Sequence, residues 1–185
     1  MEPLELSIAI NTYKSPELLR LCLESIDRFM PKSGLRYEVL VVDSATEEVT
    51  EMLMREEFPH VRFLPFKENV GFKSLINTSL DEAKGEYVFL INGDIILTEG
   101  AVPELLAYIK NHPDIGILGP KQFNFNGSIQ QSFFRFYKPV TILYRRTFLG
   151  RFAFAKKHLA WFAMEEAGDP KEPIPAEWVI GSALF

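Results

Sequence analysis

The sequence predicts an α/β fold with a mostly parallel central sheet flanked by helices. Strand-like and helix-like segments alternate with short connections through the first 120 residues, which is the pattern of βαβ units. Two of the strand-like segments, YEVLVVD and YVFLI, are almost uninterrupted apolar runs, as expected of strands covered on both faces by helices. The chain has 185 residues and is 47% apolar, enough for one well-buried core.

The first strand is Leu6 to Thr12. Ser15, Pro16 and Glu17 then supply a cap, a first-turn proline and a first-turn acid, and Leu19, Cys22, Leu23, Ile26 and Met30 follow at helical spacing, so a helix is expected over 16–30. Tyr37 to Asp43 is the second strand. Thr46 is placed to cap a second helix, with Glu47 and Glu48 in its first turn and Pro59 stopping it. Val61 to Phe66 reads as a third strand. A third helix from Gly71 is expected to put Phe72, Leu75, Ile76, Leu80 and Ala83 on one face, with Gly85 ending it. Tyr87 to Ile91 is the fourth strand, a helix over 100–110 follows, and Ile115 to Leu118 reads as a short fifth strand. Residues 1–120 thus form an α/β half, and 121–185 read as an extension of the same domain, ending in a strand from Trp178 to Phe185.

Composition excludes several classes. The single cysteine, Cys22, falls in an apolar helical pattern and reads as a core thiol, which leaves no disulfide framework or Cys-x-x-Cys metal site. Glu2 and Glu5 precede the first strand where a signal peptide would be basic, and no apolar run approaches the roughly 20 residues that span a bilayer, so a cytoplasmic location is expected. The formal net charge of −5 argues against nucleic acid as a partner. That charge is unevenly spread. From Ile115 to Met164 there is no Asp or Glu, while Lys121, Arg135, Lys138, Arg145, Arg146, Arg151, Lys156 and Lys157 alternate with aromatics. The 133–158 part of this tract is expected either to touch a membrane peripherally or to be a solvated basic face. No G-x-G-x-x-G or P-loop is present, so dinucleotide and ATP sites lack support.

In open α/β sheets ligands bind outside the carboxyl ends of the strands. Four such ends are polar here: Asn11-Thr12-Tyr13, Asp43-Ser44, Glu68-Asn69-Val70-Gly71 and Asn92-Gly93-Asp94. Each alone is an ordinary turn composition. Their recurrence at successive strand ends marks this edge as the candidate site.

The segments SIAINTYKSPELLRLCLESI, YEVLVVDSAT, the E-N-V-G-F of Glu68 to Phe72, GEYVFLINGD, the I-L-G-P of Ile117 to Pro120, the N-G-S-I-Q-Q-S of Asn126 to Ser132 and WVIGSALF, in that order, resemble glycosyltransferase family 2, especially its bacterial rhamnosyltransferase-like members. The resemblance implies a GT-A-like nucleotide-binding fold. It implies hexosyl transfer from a nucleotide-diphosphate sugar, dTDP-rhamnose or a UDP-sugar, to a saccharide or lipid-linked acceptor in cell-surface polysaccharide synthesis. It also implies a divalent cation, Mg²⁺ or Mn²⁺, and inversion at the anomeric carbon. Residues 1–120 become the donor half and 121–185 the acceptor side.

By position, Thr12 and Tyr13 match the family's strand end against the nucleoside, and Asp43 matches the carboxylate that accepts a hydrogen bond from the pyrimidine. Asn69 and Gly71 fall on the donor side, Gly71 matching the glycine where backbone lies against the donor. Asn92 and Asp94 match the D-x-D-type motif with Asn in first place, so Asp94 is its one anionic metal ligand. Trp178 and Gly181 belong to the acceptor side. Lys14 replaces a frequent asparagine, and Ser79 a frequent glycine. The family's acidic pair carrying the catalytic base follows the W-V-x-G-x-x-L-F strand, so the base is expected after Phe185 and not at Glu165, Glu166 or Glu177, which read as surface acids. Two rivals are a sugar-1-phosphate nucleotidyltransferase, which needs a glycine-rich basic loop that Asn11 to Ser15 does not provide, and a non-catalytic nucleotide-sugar-binding module.

Overall fold

In the computed structural model, which describes residues 3–185, Glu2 lies outside the described residues. In chain order the elements are β1 (Leu6–Tyr13), α1 (Pro16–Phe29), β2 (Tyr37–Ser44), α2 (Glu48–Glu56), β3 (Arg62–Phe66), α3 (Gly71–Glu82), β4 (Tyr87–Asn92), α4 (Ala101–Asn111), β5 (Gln122–Phe123), β6 (Ile129–Gln130), β7 (Phe133–Phe134), α5 (Pro139–Arg146), α6 (Ala153–Phe162), β8 (Trp178–Val179) and β9 (Ala183–Leu184). They group into two compact units, one running to Leu118 and including Gly181–Phe185, the other Gly119–Ile180. The last five residues, expected in the extension, belong to the first unit.

The first unit is built on a five-stranded sheet ordered β3-β2-β1-β4-β9, with the first four strands parallel and β9 antiparallel to β4. The uninterrupted apolar strands are covered on both faces. Ile8, Ile10, Val39, Val41, Phe89 and Ile91 point into a large cluster with Leu19, Cys22, Leu23 and Ile26 of α1, Leu53 and Met54 of α2, and Val102 and Leu106 of α4. The intervening residues Ala9, Leu40 and Val42 point the other way and pack on Leu75 of α3. Each fully buried Leu or Ile here contributes about 1.5–3 kcal/mol. Cys22 is a buried core thiol as expected, and burial pushes its pKa up to about 12.

Several local expectations are corrected. Thr46 does not cap α2. Glu47 holds the cap position without a side-chain bond, and the Thr46 hydroxyl donates to the Asp43 carbonyl at 3.3 Å. On α3 only Leu75 and Ser79 are buried, while Phe72 and Leu80 stay 51% and 48% exposed. Leu75 packs into the cluster of Ala9, Leu40 and Val42 with the partly buried Leu64, Phe66, Val88 and Leu90 around it, and Phe72 and Leu80 lie outside that cluster. Ile115 to Leu118 is not a strand; Leu118 exchanges two backbone hydrogen bonds with Phe185, each 2.8 Å, and β9 takes the place beside β4. The expected strand Trp178 to Phe185 is divided into β8 and β9 because its backbone changes partner: Ile180 N–H donates to Ser132 C=O, whereas the Ser182 carbonyl accepts from Asn92 N–H.

Gly85 does not end α3, which stops at Glu82 with Ala83 extended. Its N–H donates to Ser7 Oγ at 2.8 Å, beside a 3.0 Å bond to the same oxygen from Lys84 N–H. The fully buried Ser7 in turn donates to Glu38 Oε1 at 2.7 Å. This brings two backbones together at the start of β1.

The second unit contains the β5–β6 hairpin, turned at Gly127 with φ +81°, and the β7–β8 pair, in which Phe133 faces Val179 and Phe134 faces Trp178. Trp178 stacks on Phe134 at 4.5 Å, and Phe162 of α6 packs against Phe134 and Tyr137. A 3-10 turn, Phe148–Arg151, joins α5 to α6. Among the described residues no helix is long and apolar enough to cross a membrane.

A Cβ on Gly85 would lie 2.8 Å from Leu6 Cα and closer still to the Leu6 carbonyl carbon and Ser7 nitrogen, all of them backbone. Gly85→Ala is therefore expected to cost about 1–3 kcal/mol, read as a lowered urea midpoint. Gly116→Ala, where a Cβ meets nothing within 4 Å, is the matched control and should leave the midpoint nearly unchanged.

Candidate functional site

The site is assembled by strand register. β1 pairs with both neighbours so that Asn11 lies beside Asn92, Thr12 beside Asp43 and Tyr13 beside Ser44. Three polar strand ends therefore stop at one level of the sheet. The ends of β1 and β4 open into a cleft of about 220 Å³ whose lining includes Asn11, Thr12, Tyr13 and Leu18 from the β1–α1 corner, Phe72 and Leu75 from α3, and Asn92, Gly93 and Asp94 from the end of β4. A larger groove of about 340 Å³ between α1 and α2 contains none of these residues, and its Arg20 and Glu57 are paired with each other at 2.7 Å.

Each corner is held by identifiable bonds. Gly93 N–H donates to the Asn11 carbonyl at 2.9 Å, and a Cβ at Gly93 would sit 3.0 Å from the Thr12 side chain, so glycine lets the β4 turn lie against β1. The buried Asn11 amide oxygen accepts from Ser79 Oγ at 2.7 Å. Ser79, which replaces a frequent glycine of the family, thus ties α3 to the floor of the site.

The β2–α3 side is organised around Ser44. Its hydroxyl donates to Asn69 Oδ1 at 3.3 Å and accepts from Val70 N–H at 3.1 Å, while Asn69 Oδ1 also accepts from Gly71 N–H at 3.0 Å. Gly71 has φ +76°, and a Cβ there would meet nothing within 4 Å. The backbone conformation, not crowding, is what requires glycine at this helix start. Lys14 and Ala45, the residues just past β1 and β2, also adopt positive φ, +49° and +53°. Such conformations cost of order 1 kcal/mol or more for non-glycine residues and cluster at functional loops. Asparagine tolerates this region better than lysine, which gives the frequent family asparagine at position 14 a physical reason. Lys14 is held there by a 3.2 Å ion pair with Glu47.

Asp43 is the most unusual group. It is 1% exposed, and neither carboxylate oxygen has a hydrogen-bond partner. Burial pushes its carboxyl above the ordinary aspartate range and the negative charge of Glu47 adds to this; the Thr46 hydroxyl and Ser44 backbone pull the other way without reaching hydrogen-bond geometry. A buried, unpartnered carboxylate is costly.

Asp94 is exposed on the turn after β4, two residues beyond the half-buried Asn92. Among the described residues no three His, Cys, Asp or Glu side chains gather as a metal cage. A Mg²⁺-type cation does not need one, since it binds through one or two carboxylates and completes its shell with water and substrate phosphates. Asp94 with Asn92 fits that kind of shared site.

Not every expected residue falls together. Asp43, Asn69 and Gly71 are not among the residues that line the cleft. Gly181 lies in the first unit, where an added Cβ would reach ordinary contact with Phe72 Cζ at 3.8 Å. Trp178 lies in the second unit, its Nε1 donating to the Arg135 carbonyl at 2.9 Å within the aromatic stack. Glu166 is paired with Arg135, and Glu177 accepts from Phe136 N–H at 2.5 Å. The cleft-lining roles of Leu18 and Phe72 and the anchoring role of Ser79 were missed. Periodicity places Phe72 on the core face of α3, whereas it stays 51% exposed and lines the cleft.

The sequence profile of glycosyl transferase family 2 matches residues 7–162. The chain is 30% identical over 118 residues to the poly(ribitol-phosphate) beta-N-acetylglucosaminyltransferase TarP of Staphylococcus aureus (strain N315), covering 62% of this chain and 36% of that protein. It is 27% identical over 122 residues to the N-acetylglucosaminyl-diphospho-decaprenol L-rhamnosyltransferase of Mycobacterium tuberculosis, covering 58% and 40%. The chain thus spans well under half the length of these curated relatives. Among solved structures, S. aureus TarS superposes with a TM-score of 0.58 at 22% identity, over 72% of this chain and 42% of that one. The mannosyltransferase PcManGT of Pyrobaculum calidifontis, in complex with GDP-Man and Mn²⁺, gives 0.55 at 22% identity over 66% and 38%. At that identity these likenesses speak for the fold, which is the GT-A arrangement. With the profile spanning most of its length, the chain belongs to glycosyltransferase family 2.

Proposed function

We propose that this chain binds a pyrimidine nucleotide-diphosphate sugar at the carboxyl ends of β1, β2 and β4 and transfers the hexosyl group to a hydroxyl of a saccharide or lipid-linked acceptor. The observation that carries the reading is Asp43: a carboxylate buried at a strand end, with both oxygens unpartnered, in register beside Thr12. Such a group is supplied with a partner when a ligand N–H reaches it, and a pyrimidine ring carries one. Thr12 and Tyr13 border the nucleoside, and the turn shaped by Asn69 and Gly71 brings backbone to the donor. Residues 1–120 form the donor half and 121–185, with Trp178 and Gly181, the acceptor side.

The chemistry is an inverting displacement. The acceptor oxygen forms the new bond to the anomeric carbon, the bond from that carbon to the diphosphate oxygen breaks, and the acceptor proton passes to a general base that we do not assign within 3–185. Asp94 and Asn92 would hold Mg²⁺ or Mn²⁺. A cation there supplies charge neutralisation for the departing diphosphate. The TarS structure with bound UDP and the names of the two curated relatives support a UDP-sugar or dTDP-rhamnose donor and a role in cell-surface polysaccharide synthesis.

Asp94→Ala is expected to remove the Mn²⁺-dependent part of UDP affinity, because the neutral Asn92 cannot replace the lost charge. Calorimetry with and without Mn²⁺ reads this, and equal metal dependence in variant and parent would overturn the metal assignment. Asp43→Ala should weaken UDP or dTDP by about 1.5–3 kcal/mol, the range for a hydrogen bond to a charged group, while GDP stays weak for both forms. Equal affinity of the parent for GDP and UDP would remove the base-reading role.

Asp43 also makes a stability prediction. Because its folded-state pKa lies above the ordinary 3.8, the native state holds the proton more tightly, and stability falls as pH rises from 3.8 through the folded value. Asp43→Asn lacks this loss. Its melting temperature should match the parent's at the acid end and exceed it by a growing and then constant margin toward neutral pH, as followed by thermal melts across pH.

A further inference from the structure

The hairpin of α5, the Phe148–Arg151 turn and α6 carries a surface that donor binding does not use. Its inner side is firmly built. Thr141 is fully buried and its hydroxyl shares a 2.7 Å hydrogen bond with His158 Nε2, Tyr144 meets the same imidazole edge-on, and Gly150 packs against the Tyr144 carbonyl so closely that a Cβ would clash with it. Ala155 of α6 is fully buried.

The outer side is the reverse. Phe148 is 69% exposed, Phe154 58% and Phe152 49%. Phe152 and Phe154 stack with centroids 5.7 Å apart, and Phe148 meets Phe152 edge-on at 6.4 Å, so the three rings form one solvent-facing ridge. On the same hairpin, interleaved in sequence with these rings, Arg146, Arg151, Lys156 and Lys157 are exposed. None of these four has an ion-pair partner among the described residues, in contrast to Lys121 and Arg135 of the same unit, which pair with Asp169 and Glu166.

Unpaired cations alone suit any polyanion. The aromatic ridge narrows the choice, because a soluble polyanion would leave three phenylalanines in water, whereas a bilayer takes aromatic rings into its headgroup and acyl boundary while its anionic headgroups face the cations. We propose that this ridge and its four cations dock the protein onto an anionic lipid surface, without spanning it. The docking is independent of the nucleotide site.

Vesicle co-sedimentation of the full chain, without nucleotide, tests this. Binding is expected to vesicles of equimolar phosphatidylcholine and phosphatidylglycerol, to be weak on pure phosphatidylcholine, and to fall as ionic strength rises from about 0.01 M to about 1 M and the screening length drops from about 30 Å to about 3 Å. Lys156→Gln with Lys157→Gln should lower partitioning by roughly 25-fold, at about fivefold per cation. Phe148→Ser with Phe154→Ser should also release the protein from vesicles, without changing its melting temperature, since both rings are mostly exposed. Three results would overturn the proposal: no binding by folded protein, equal binding to neutral and anionic vesicles, or serine variants that bind unchanged while soluble polyphosphate competes. The last would assign the face to a soluble polyanion.

Discussion

The site depends on the alignment of three parallel strands. β1 hydrogen-bonds to β2 on one side and β4 on the other, and the pairing carries Asn11, Thr12 and Tyr13 level with Asn92, Asp43 and Ser44. That alignment is enforced by burial on both faces. A slip of one residue would exchange the side chains facing α1 and α4, such as Ile8 and Ile10, for those facing α3, such as Ala9, and the two layers have very different depths. The core therefore decides where the polar ends stop.

Around those ends the protein accepts local costs that the core offsets. Two non-glycine residues, Lys14 and Ala45, hold left-handed backbone, and the Asp43 carboxylate is buried unpaired. None of these features helps the chain to fold. The left-handed turns at Lys14 and Ala45 shape the loops after β1 and β2, the edge at which the proposed donor would bind. The Ser44, Asn69 and Gly71 bonds do the same for the start of α3.

Charge is distributed unevenly between the units. The strand ends of the first unit carry Asp43 and Asp94 with asparagines and Thr12, the groups that the proposed recognition of a ring N–H and of a phosphate-bound cation would use. The second unit concentrates unpaired cations and exposed rings on one hairpin, whose inner side is closed by the Thr141 to His158 bond. The clustered exposed rings are costly in water, whereas the cations beside them in sequence are not.

The sequence by itself determined β1 to β4, the four helices that alternate with them, and the candidate residues at the strand ends, because period and turn chemistry are local and the apolar runs of β2 and β4 are unambiguous; the short strands and helices after Pro120 carry no such periodic signal. Its motifs were specific enough to indicate the family. It did not determine which residues of α3 face inward, since Phe72 and Leu75 share a helical period and only the packing against the sheet separates them. Nor did it reveal that Gly85 serves a backbone contact and not a helix end, or that the last apolar segment changes partners at Ile180 to Ser182. Those were decided by tertiary structure, because each depends on which distant backbone arrives alongside: Ser7 for Gly85, Ser132 for Ile180 and Asn92 for Ser182. The isolation of the Asp43 carboxylate is of the same kind, since a residue's lack of partners is a property of everything packed around it.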